Sequence, residues 1–524
     1  MTRLCVPIFV TEIARAKRDI ATAIEAGAEI VELRIDGNPS TEAVLSLIAG
    51  PRVPFIVTCR STDEGGNCTL SAIQRLELLR NIASRTSSMV DVELATLHEL
   101  SATAQPLPSE LIISSHDFNG RPARLHNLIL EMNEQPATVN KIVWTARSIR
   151  DNIEAFEILR TRQRPTIALC MGEHGLISRI LARKFGAFLT FASLDRERET
   201  APGQVLIADM KSLFRWDFLS QKTKVYGVVG SPVSHSMSPV IHNAAFEDTG
   251  FDGIYLPLLV NPGYESFKAF MESFLGFGAL DLRGLSITIP HKENALRYLS
   301  EKSAELDPLA VRIGAVNTIA IERDDNAIPG LRGLNTDYSA ILDSITERLG
   351  IRRENLVGCR IAVIGAGGTG RTAVAALASC GATVVVYNRT RERAAALAAE
   401  FDGKSGHVVA ASLEKICDSC CQMYINTTSI GMHPSTNASP FGPLPPKLGP
   451  DTLVFDAVYN PMRTLMIRQA EEANAKTVTG VEMFVRQAAA QFEAWTHLPA
   501  PIERMKRVLK DRLGAGENSE PKSG

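Results

Sequence analysis

The sequence predicts an α/β protein in two parts, a (β/α)8 barrel over residues 1–219 followed by a doubly wound nucleotide-binding unit. Three observations predict it. Eight short apolar, β-rich runs occur early in the chain, at 4–10, 29–35, 53–59, 89–94, 111–115, 139–145, 166–171 and 187–192. Amphipathic stretches such as 12–27, 70–86 and 149–163 separate most of them. A β-then-α unit repeated eight times in roughly 200 residues closes into a parallel barrel. In the second part the strand CRIAVI runs directly into Gly365-Ala366-Gly367-Gly368-Thr369-Gly370, and a further strand, TVVVYN, follows the helix that this turn opens.

The remaining elements follow in order. Segment 211–224 is expected to be the barrel's last helix and a polar connector. A strand at 225–229, a helix at 237–249, strands at 254–260 and 284–289, and further alternation to 321 form a lobe over 220–338. A helix at 338–349 leads into a Rossmann lobe over 339–479. The stretch 480–511 reads as helix that completes the first of these lobes, and 512–524 as a disordered tail.

Composition narrows the function classes. The 524 residues hold 56 Lys+Arg against 58 Asp+Glu, a formal charge of −2, with 45 % hydrophobic and 22 % charged residues. Such a balance lacks the electrostatic footprint of a nucleic-acid or anionic-membrane binder. No run is apolar for long enough to span a bilayer, and the N-terminal segment has neither a signal-peptide core nor a transit-peptide composition. Nine cysteines in a chain of this size do not make a disulfide framework, and Cys417-x-x-Cys420-Cys421 lacks a second ligand pair. The expectation is a cytoplasmic enzyme without a metal, monomeric or homodimeric, whose partners are small molecules.

Charge inside the predicted strands locates the first site. Glu32 and Arg34 are two apart and share a strand face, as do Asp91 and Glu93; Arg60 and His116 end their strands, and Lys141 stands early in the sixth. Barrel strands are covered on both sides, so these side chains must converge on a polar pocket at the C-terminal ends. A lysine among carboxylates and a histidine suits imine chemistry: the amine attacks a ketone, and the cationic imine acidifies the adjacent carbon for a general base.

The motifs ELRID (32–36), TCR (58–60), EGG (64–66), DVEL (91–94), SSHDF (114–118), KI (141–142), MG (171–172), SR (178–179) and APGQ (201–204) occur in the order seen in type I 3-dehydroquinate dehydratases, and the first 210 residues resemble that family throughout. The resemblance implies that Lys141 forms the imine, that His116 moves the protons with Glu93 orienting its ring, and that Arg179 holds the substrate carboxylate. It further implies that Glu32, Arg34, Arg60, Thr200 and Gln204 grip hydroxyls and shape the pocket. Thr200 stands where the family usually has Ser.

In the second part the Gly365-x-Gly367-x-x-Gly370 turn admits backbone amides to a pyrophosphate at a helix N-terminus. The second strand ends in Asn388-Arg389-Thr390, with Arg393 nearby, where an NAD enzyme places an acid; Arg favours a 2′-phosphate and hence NADP. Lys292 in TIPHK and Asp337 in NTD would manage a hydroxyl proton while hydride leaves for a nicotinamide, if the fold brings them together. The order GSPVSHSMSP, TIPHK, GAVNT, NTD, GAGGTG, NRT, NTTSIGM, DAVYNP and GVEMFVRQA resembles the shikimate dehydrogenases over about 224–505. That resemblance implies Lys292 and Asp337 as the catalytic pair. It also implies Ser236, Ser238, Thr288, Asn317, Tyr459 and Gln487 as substrate ligands, and Gly365, Gly367, Gly368, Gly370, Asn388, Arg389, Thr390, Arg393, Thr427 and Gly480 as the NADP site. Ser286 replaces the Asn of many single-domain versions, as in the fused plant-type enzymes.

The two resemblances together imply a TIM barrel fused to a two-lobed dehydrogenase, converting 3-dehydroquinate to 3-dehydroshikimate and then, with NADPH, to shikimate. The alternatives are a quinate-preferring second half, or a non-catalytic quinate-sensing regulator.

Overall fold

The computed structural model describes residues 1–100, 107–195, 203–323, 329–403, 405–443 and 445–517. It divides into two units: 1–225 with 252–261 and 269–281, and 226–251 with 262–268 and 282–524.

The first unit holds the barrel. Its strands are β1 (Arg3–Phe9), β2 (Ile30–Arg34), β3 (Phe55–Thr58), β4 (Met89–Glu93), β5 (Leu111–Asp117), β6 (Val139–Thr145), β7 (Thr166–Met171), β8 (Leu189–Ser193) and the short β9 (Val205–Leu206). They hydrogen-bond in the order β7-β6-β5-β4-β3-β2-β1-β8-β9, one curled parallel sheet. Phe188 N–H, just before β8, donates to Thr166 O at the start of β7 at 2.9 Å, so the two ends of the curl meet. Each predicted run became a strand, because period-2 alternation buries one face inside and one beneath the helices. The inner face packs Cys5, Ile30, Ile56, Ile112, Val139, Ile167 and Leu189 into one apolar cluster. The helices Ile13–Glu25, Ala72–Arg85 and Asp151–Thr161 lie inside the predicted amphipathic spans.

Within 211–224, expected to hold a final helix and then a connector, the helix lies earlier than expected. The helix is Ile207–Ser212, and Arg215, at φ 52°, turns the chain out of it into a single 3-10 turn at Trp216–Phe218. Phe214, Trp216 and Leu219 are buried, a spacing that no single helix face supplies.

The later strands are β10 (Lys224–Gly230), β11 (Gly253–Leu259), β12 (Leu282–Ile287), β13 (Glu305–Leu306), β14 (Thr318–Glu322) and β15 (Gly330–Leu334). In the second unit β10, β12, β14, β15 and β13 lie side by side in that order. Six more strands, β16 (Arg360–Ile364), β17 (Thr383–Asn388), β18 (His407–Ser412), β19 (Met423–Asn426), β20 (Leu453–Asp456) and β21 (Lys476–Val478), form a second sheet. Its order, β18-β17-β16-β19-β20-β21, reverses direction between β16 and β19, the doubly wound arrangement that binds dinucleotides at the reversal. Ile341 and Ile345 of the helix Asp337–Leu349 join its core beside Val363 and Val374.

The C-terminal region departs from expectation twice. Helix does not run unbroken through 480–511: Gly480–Thr496 and Ile502–Glu517 are separate, because His497 caps the first in the left-handed region and Pro499 and Pro501 lack the amides to continue it. The expected tail from 512 begins as helix, since Met505, Leu509 and Leu513 carry one buried stripe past that point; residues 518–524 lie outside the described ones. Among the described residues no helix is long and apolar enough to cross a membrane, and no cluster of His, Cys, Asp and Glu could hold a metal.

Candidate active sites

In the barrel the ionisable side chains stand where the strands end. Lys141 is only the third residue of β6, yet it pairs in register with Ser114, which pairs with Glu93, the last residue of β4. Staggered strands make an early residue of one level with the end of another, which resolves the apparent misplacement of Lys141. Its Nζ donates to Asp91 Oδ2 at 2.9 Å and to Glu32 Oε1 at 3.4 Å, and stands 4.7 Å from the centre of the Phe191 ring. Arg60 Nη2 pairs with Asp91 Oδ1 at 2.8 Å, and its Nη1 donates to Ser114 Oγ at 2.7 Å. Burial alone would raise the Asp91 carboxyl, but the flanking Arg60 and Lys141 outweigh it and hold the group well below the usual carboxylate range.

A pocket of about 490 Å³ opens here, lined by Glu32, Arg34, Arg60, His116, Lys141, Arg179 and Gln204, together with Glu64 and Phe118. Seven of the expected residues therefore share one cavity. Thr200 lies outside the described residues. Glu93 is the correction. It does not line the pocket, and its carboxylate accepts from Ser61 N–H at 2.7 Å and from Arg75 Nη2 at 3.1 Å. The carboxyl that holds the His116 ring is Glu64, whose Oε2 is 2.8 Å from Nδ1 and also accepts the His116 backbone N–H at 3.1 Å. Glycine explains how Glu64 gets there: the loop folds back so tightly that a Cβ on Gly66 would sit 2.2 Å from Arg60 O. The EGG motif was the signal for this residue, but nothing in its spacing ties it to a histidine 52 positions on. Burial, aided by the Arg60 and Lys141 cations, lowers the His116 pKa well below its ordinary value. Burial likewise pushes the Glu64 carboxyl up to about 8, against the pull of Arg60. Asp36 was also missed; it clamps Arg34 by two bonds of 3.2 and 2.6 Å and accepts the Arg60 amide at 3.1 Å.

The second site forms where several helices begin. Lys292 opens the helix Lys292–Glu301 and Asp337 opens Asp337–Leu349. Their side chains meet, Nζ to Oδ2 at 2.5 Å, and Lys292 also donates to Thr369 Oγ1 at 3.3 Å inside the glycine turn. Asn317 braces the entry to Asp337: its Oδ1 accepts Thr336 N–H at 2.9 Å and its Nδ2 donates to Thr336 Oγ1 at 3.0 Å. Thr288 stands one turn ahead of Lys292, its carbonyl accepting the His291 amide at 2.9 Å. Ser236 Oγ accepts the Ser238 amide at 3.3 Å. Burial raises the Tyr459 phenol, while the Ser236 hydroxyl and the Met237 backbone act the other way, so Tyr459 and Ser236 are neighbours. The Tyr459 ring stacks on Phe484 at 4.3 Å, and Gln487 Nε2 donates to Phe484 O at 3.1 Å. Gln491, one turn further, is a residue that the sequence did not single out. It accepts from Ser286 Oγ at 2.7 Å and donates to Thr318 Oγ1 at 3.0 Å.

The glycine turn has the shape a dinucleotide needs. Gly365 has φ +112°, and a Cβ on Gly370 would lie 2.2 Å from Gly365 O. Gly367 caps the helix Gly368–Ser379 with no side-chain bond and with open space around it, which leaves the first amides to a phosphate. Asn388 Oδ1 accepts the Ala366 amide at 3.3 Å, and Thr427 Oγ1 donates to Ile364 O at 2.8 Å. A Cβ on Gly480 would meet Val458 at 2.5 Å. Arg389, Thr390 and Arg393 are exposed past the end of β17, and neither arginine has an ion-pair partner among the described residues. Cationic groups at this strand end, with no acid, fit a 2′-phosphate.

A barrel with a lysine and a held histidine at its mouth, joined to a dinucleotide fold with a Lys–Asp pair beside its glycine turn, defines a lyase–oxidoreductase class. Comparison with known families is specific. Residues 4–221 match the type I 3-dehydroquinase family, 228–319 the shikimate dehydrogenase substrate-binding domain, 349–433 shikimate / quinate 5-dehydrogenase, and 480–510 the shikimate 5′-dehydrogenase C-terminal domain. The chain is 38 % identical to the chloroplastic bifunctional 3-dehydroquinate dehydratase/shikimate dehydrogenase of Arabidopsis thaliana, over 97 % of this chain and 84 % of that one. It is 38 % identical to a shikimate dehydrogenase (NADP(+)) of Methanosarcina mazei, over 56 % of this chain and 99 % of that one. A solved shikimate dehydrogenase in complex with NADP+ is 36 % identical over 56 % of this chain and 96 % of its own, with a TM-score of 0.49. The chain belongs to the family of bifunctional 3-dehydroquinate dehydratase/shikimate dehydrogenases.

Proposed function

We propose that the chain performs two consecutive reactions of the shikimate pathway, dehydrating 3-dehydroquinate to 3-dehydroshikimate in the barrel and reducing that ketone to shikimate in the second unit. It is a lyase and an NADP-dependent oxidoreductase. The observation that carries the reading is the presence, in one chain, of Lys141 and His116 lining one polar pocket and of Lys292 bonded to Asp337 beside a phosphate-shaped glycine turn.

In the barrel, Lys141 attacks the substrate ketone and retains it as an imine. His116 removes the proton from the adjacent carbon and returns it to the departing hydroxyl as water. Glu64 fixes the ring through Nδ1, so Nε2 is left to work in the pocket. Arg179, buried at 1 % exposure on the pocket wall, would hold the substrate carboxylate, and Glu32, Arg34, Arg60 and Gln204, which line the same pocket, its hydroxyls; Thr200 is assigned to the hydroxyls from the sequence alone. In the second unit, NADPH held at the glycine turn would supply the hydride for the ketone carbon. Lys292 and Asp337 hold the ketone oxygen and deliver its proton. Ser236, Ser238, Thr288, Asn317, Tyr459 and Gln487 orient the ring. The amides after Gly365 and Gly367 take the pyrophosphate, Arg389 and Arg393 the 2′-phosphate, and Asn388, Thr390, Thr427 and Gly480 shape the surround. We read the domains as 1–219, 220–338 completed by the C-terminal helices, and 339–479. The nine unbridged cysteines fit a cytoplasmic location and the near-neutral charge fits small-molecule partners; we read the chain as a monomer or homodimer.

One coupled assay tests the proposal. Supplied with 3-dehydroquinate and NADPH, the chain should release shikimate, with NADH supporting at least about tenfold less. Release of 3-dehydroshikimate alone, or turnover of quinate in preference to shikimate, would remove the second half of the proposal.

A further inference from the structure

We infer that Asp91 is a catalytic residue of the dehydratase site, the fixed counter-ion of the lysine nitrogen through imine formation; this rests on the imine reading above. Two carboxylates touch Lys141 Nζ, and their surroundings separate them. Glu32, at 3.4 Å, lines the pocket and is therefore open to substrate. Asp91, at 2.9 Å, is not among the pocket-lining residues, and its side chain has no exposed surface. It touches the nitrogen from behind the lysine, where an arriving substrate does not displace it.

The carboxylate is held rigidly. Arg60 Nη2 at 2.8 Å and Ser114 Oγ at 2.6 Å both bind Oδ1, which leaves Oδ2 for Lys141. Ordered backbone supplies the partners: Asp91 on β4 is paired to Thr58 at the end of β3 and to Ile112 on β5, Ser114 stands on β5, Lys141 on β6, and Arg60 two residues past β3. The cations around it keep Asp91 ionised throughout the working pH range.

The chemistry explains why a permanent anion belongs there. In the net step, the Lys141 ammonium and the substrate ketone become an iminium and water. A nitrogen–carbon bond forms, the carbon–oxygen bond breaks, and two protons of the ammonium leave with the oxygen. One positive charge sits on nitrogen before and after. Moving that charge between two covalent states in a buried site requires an anion that serves both without reorganising, because an unpaired buried cation is strongly disfavoured. Arg60 makes the requirement sharper. Asp91 makes the shortest of the Arg60 ion pairs, 2.8 Å against 3.4 Å to Glu64 and 3.5 Å to Glu93, so its loss would leave that guanidinium less compensated beside the iminium.

The test is borohydride trapping of the adduct on Lys141 in the full-length chain, with 3-dehydroquinate as the probe. The wild type should trap; if it does not, the imine reading itself fails. Asp91→Asn should trap at least tenfold more slowly and dehydrate at least a hundredfold more slowly, with the fluorescence of the buried Trp144 and Trp216 unchanged. Wild-type trapping by a folded Asp91→Asn chain would overturn the inference. Asp91→Glu restores the charge and is the second variant. It should trap faster than Asp91→Asn or, where the Asn variant does not fold, within tenfold of the wild type; failure of that rescue would also overturn the inference.

Discussion

Single residues carry the chemistry, and their predicted effects are local. Lys141→Ala should lower dehydratase kcat by about a thousandfold or more while NADP-dependent shikimate oxidation stays within about twofold. Measuring both rates on one preparation checks this, and joint loss without unfolding would contradict two separate sites. Glu64 gives a pH prediction. With the carboxyl raised to about 8, protonation below that value makes Glu64 a donor to Nδ1 and moves the ring hydrogen to Nε2, where it blocks the base. Dehydratase kcat/KM should therefore rise with pH through a midpoint near 8. Glu64→Gln should flatten that limb and lower the plateau by about tenfold, as expected for a residue that positions the base. Eight of the nine barrel-site residues proposed from sequence are described, and seven of them line the pocket; Glu93 does not. The reason is physical: strand periodicity says which face a residue occupies, but not which of two nearby carboxylates a loop will bring to a ring.

At the scale of elements, the proposed cofactor site divides its work between the glycine turn and the end of β17. Gly370→Ala would force a Cβ against Gly365 O and displace the helix start, so the KM for NADPH should rise by about tenfold or more while the dehydratase rate holds. Arg389→Ala should leave the KM for NADH nearly unchanged and raise that for NADPH by about ten- to a hundredfold, the worth of one charge-assisted hydrogen bond. Steady-state kinetics with both cofactors decides it. The strands were legible because apolar alternation is a short-range signal. The place of the last barrel helix, expected with its connector within 211–224, was not, because composition there suits a helix while burial of Phe214, Trp216 and Leu219 demands an irregular path. Gln491 was invisible for a related reason. Its partners Ser286 and Thr318 lie 205 and 173 residues away, and only folding brings that distance to hydrogen-bond length.

At the scale of the whole molecule, each unit holds one of the proposed pairs of reacting groups, Lys141 with His116 in one and Lys292 with Asp337 in the other. Lys141→Ala and Lys292→Ala chains mixed in equal amounts should therefore turn 3-dehydroquinate into shikimate, after a lag in which 3-dehydroshikimate accumulates. No shikimate from the mixture would mean that the sites depend on one another. The sequence by itself determined the barrel strands, the dinucleotide turn and the basic, acid-free end of β17, and it singled out the ionisable residues in the barrel strands, because periodicity, turn glycines and the residue type at a strand end act over a few positions. Tertiary structure decided which groups touch. It placed Lys141 level with the end of β4 through strand stagger, gave the His116 ring to Glu64, and set Asp91 against the lysine nitrogen. Those assignments depend on the stagger of the barrel strands and the fold-back of one loop, and neither has a signature along the chain.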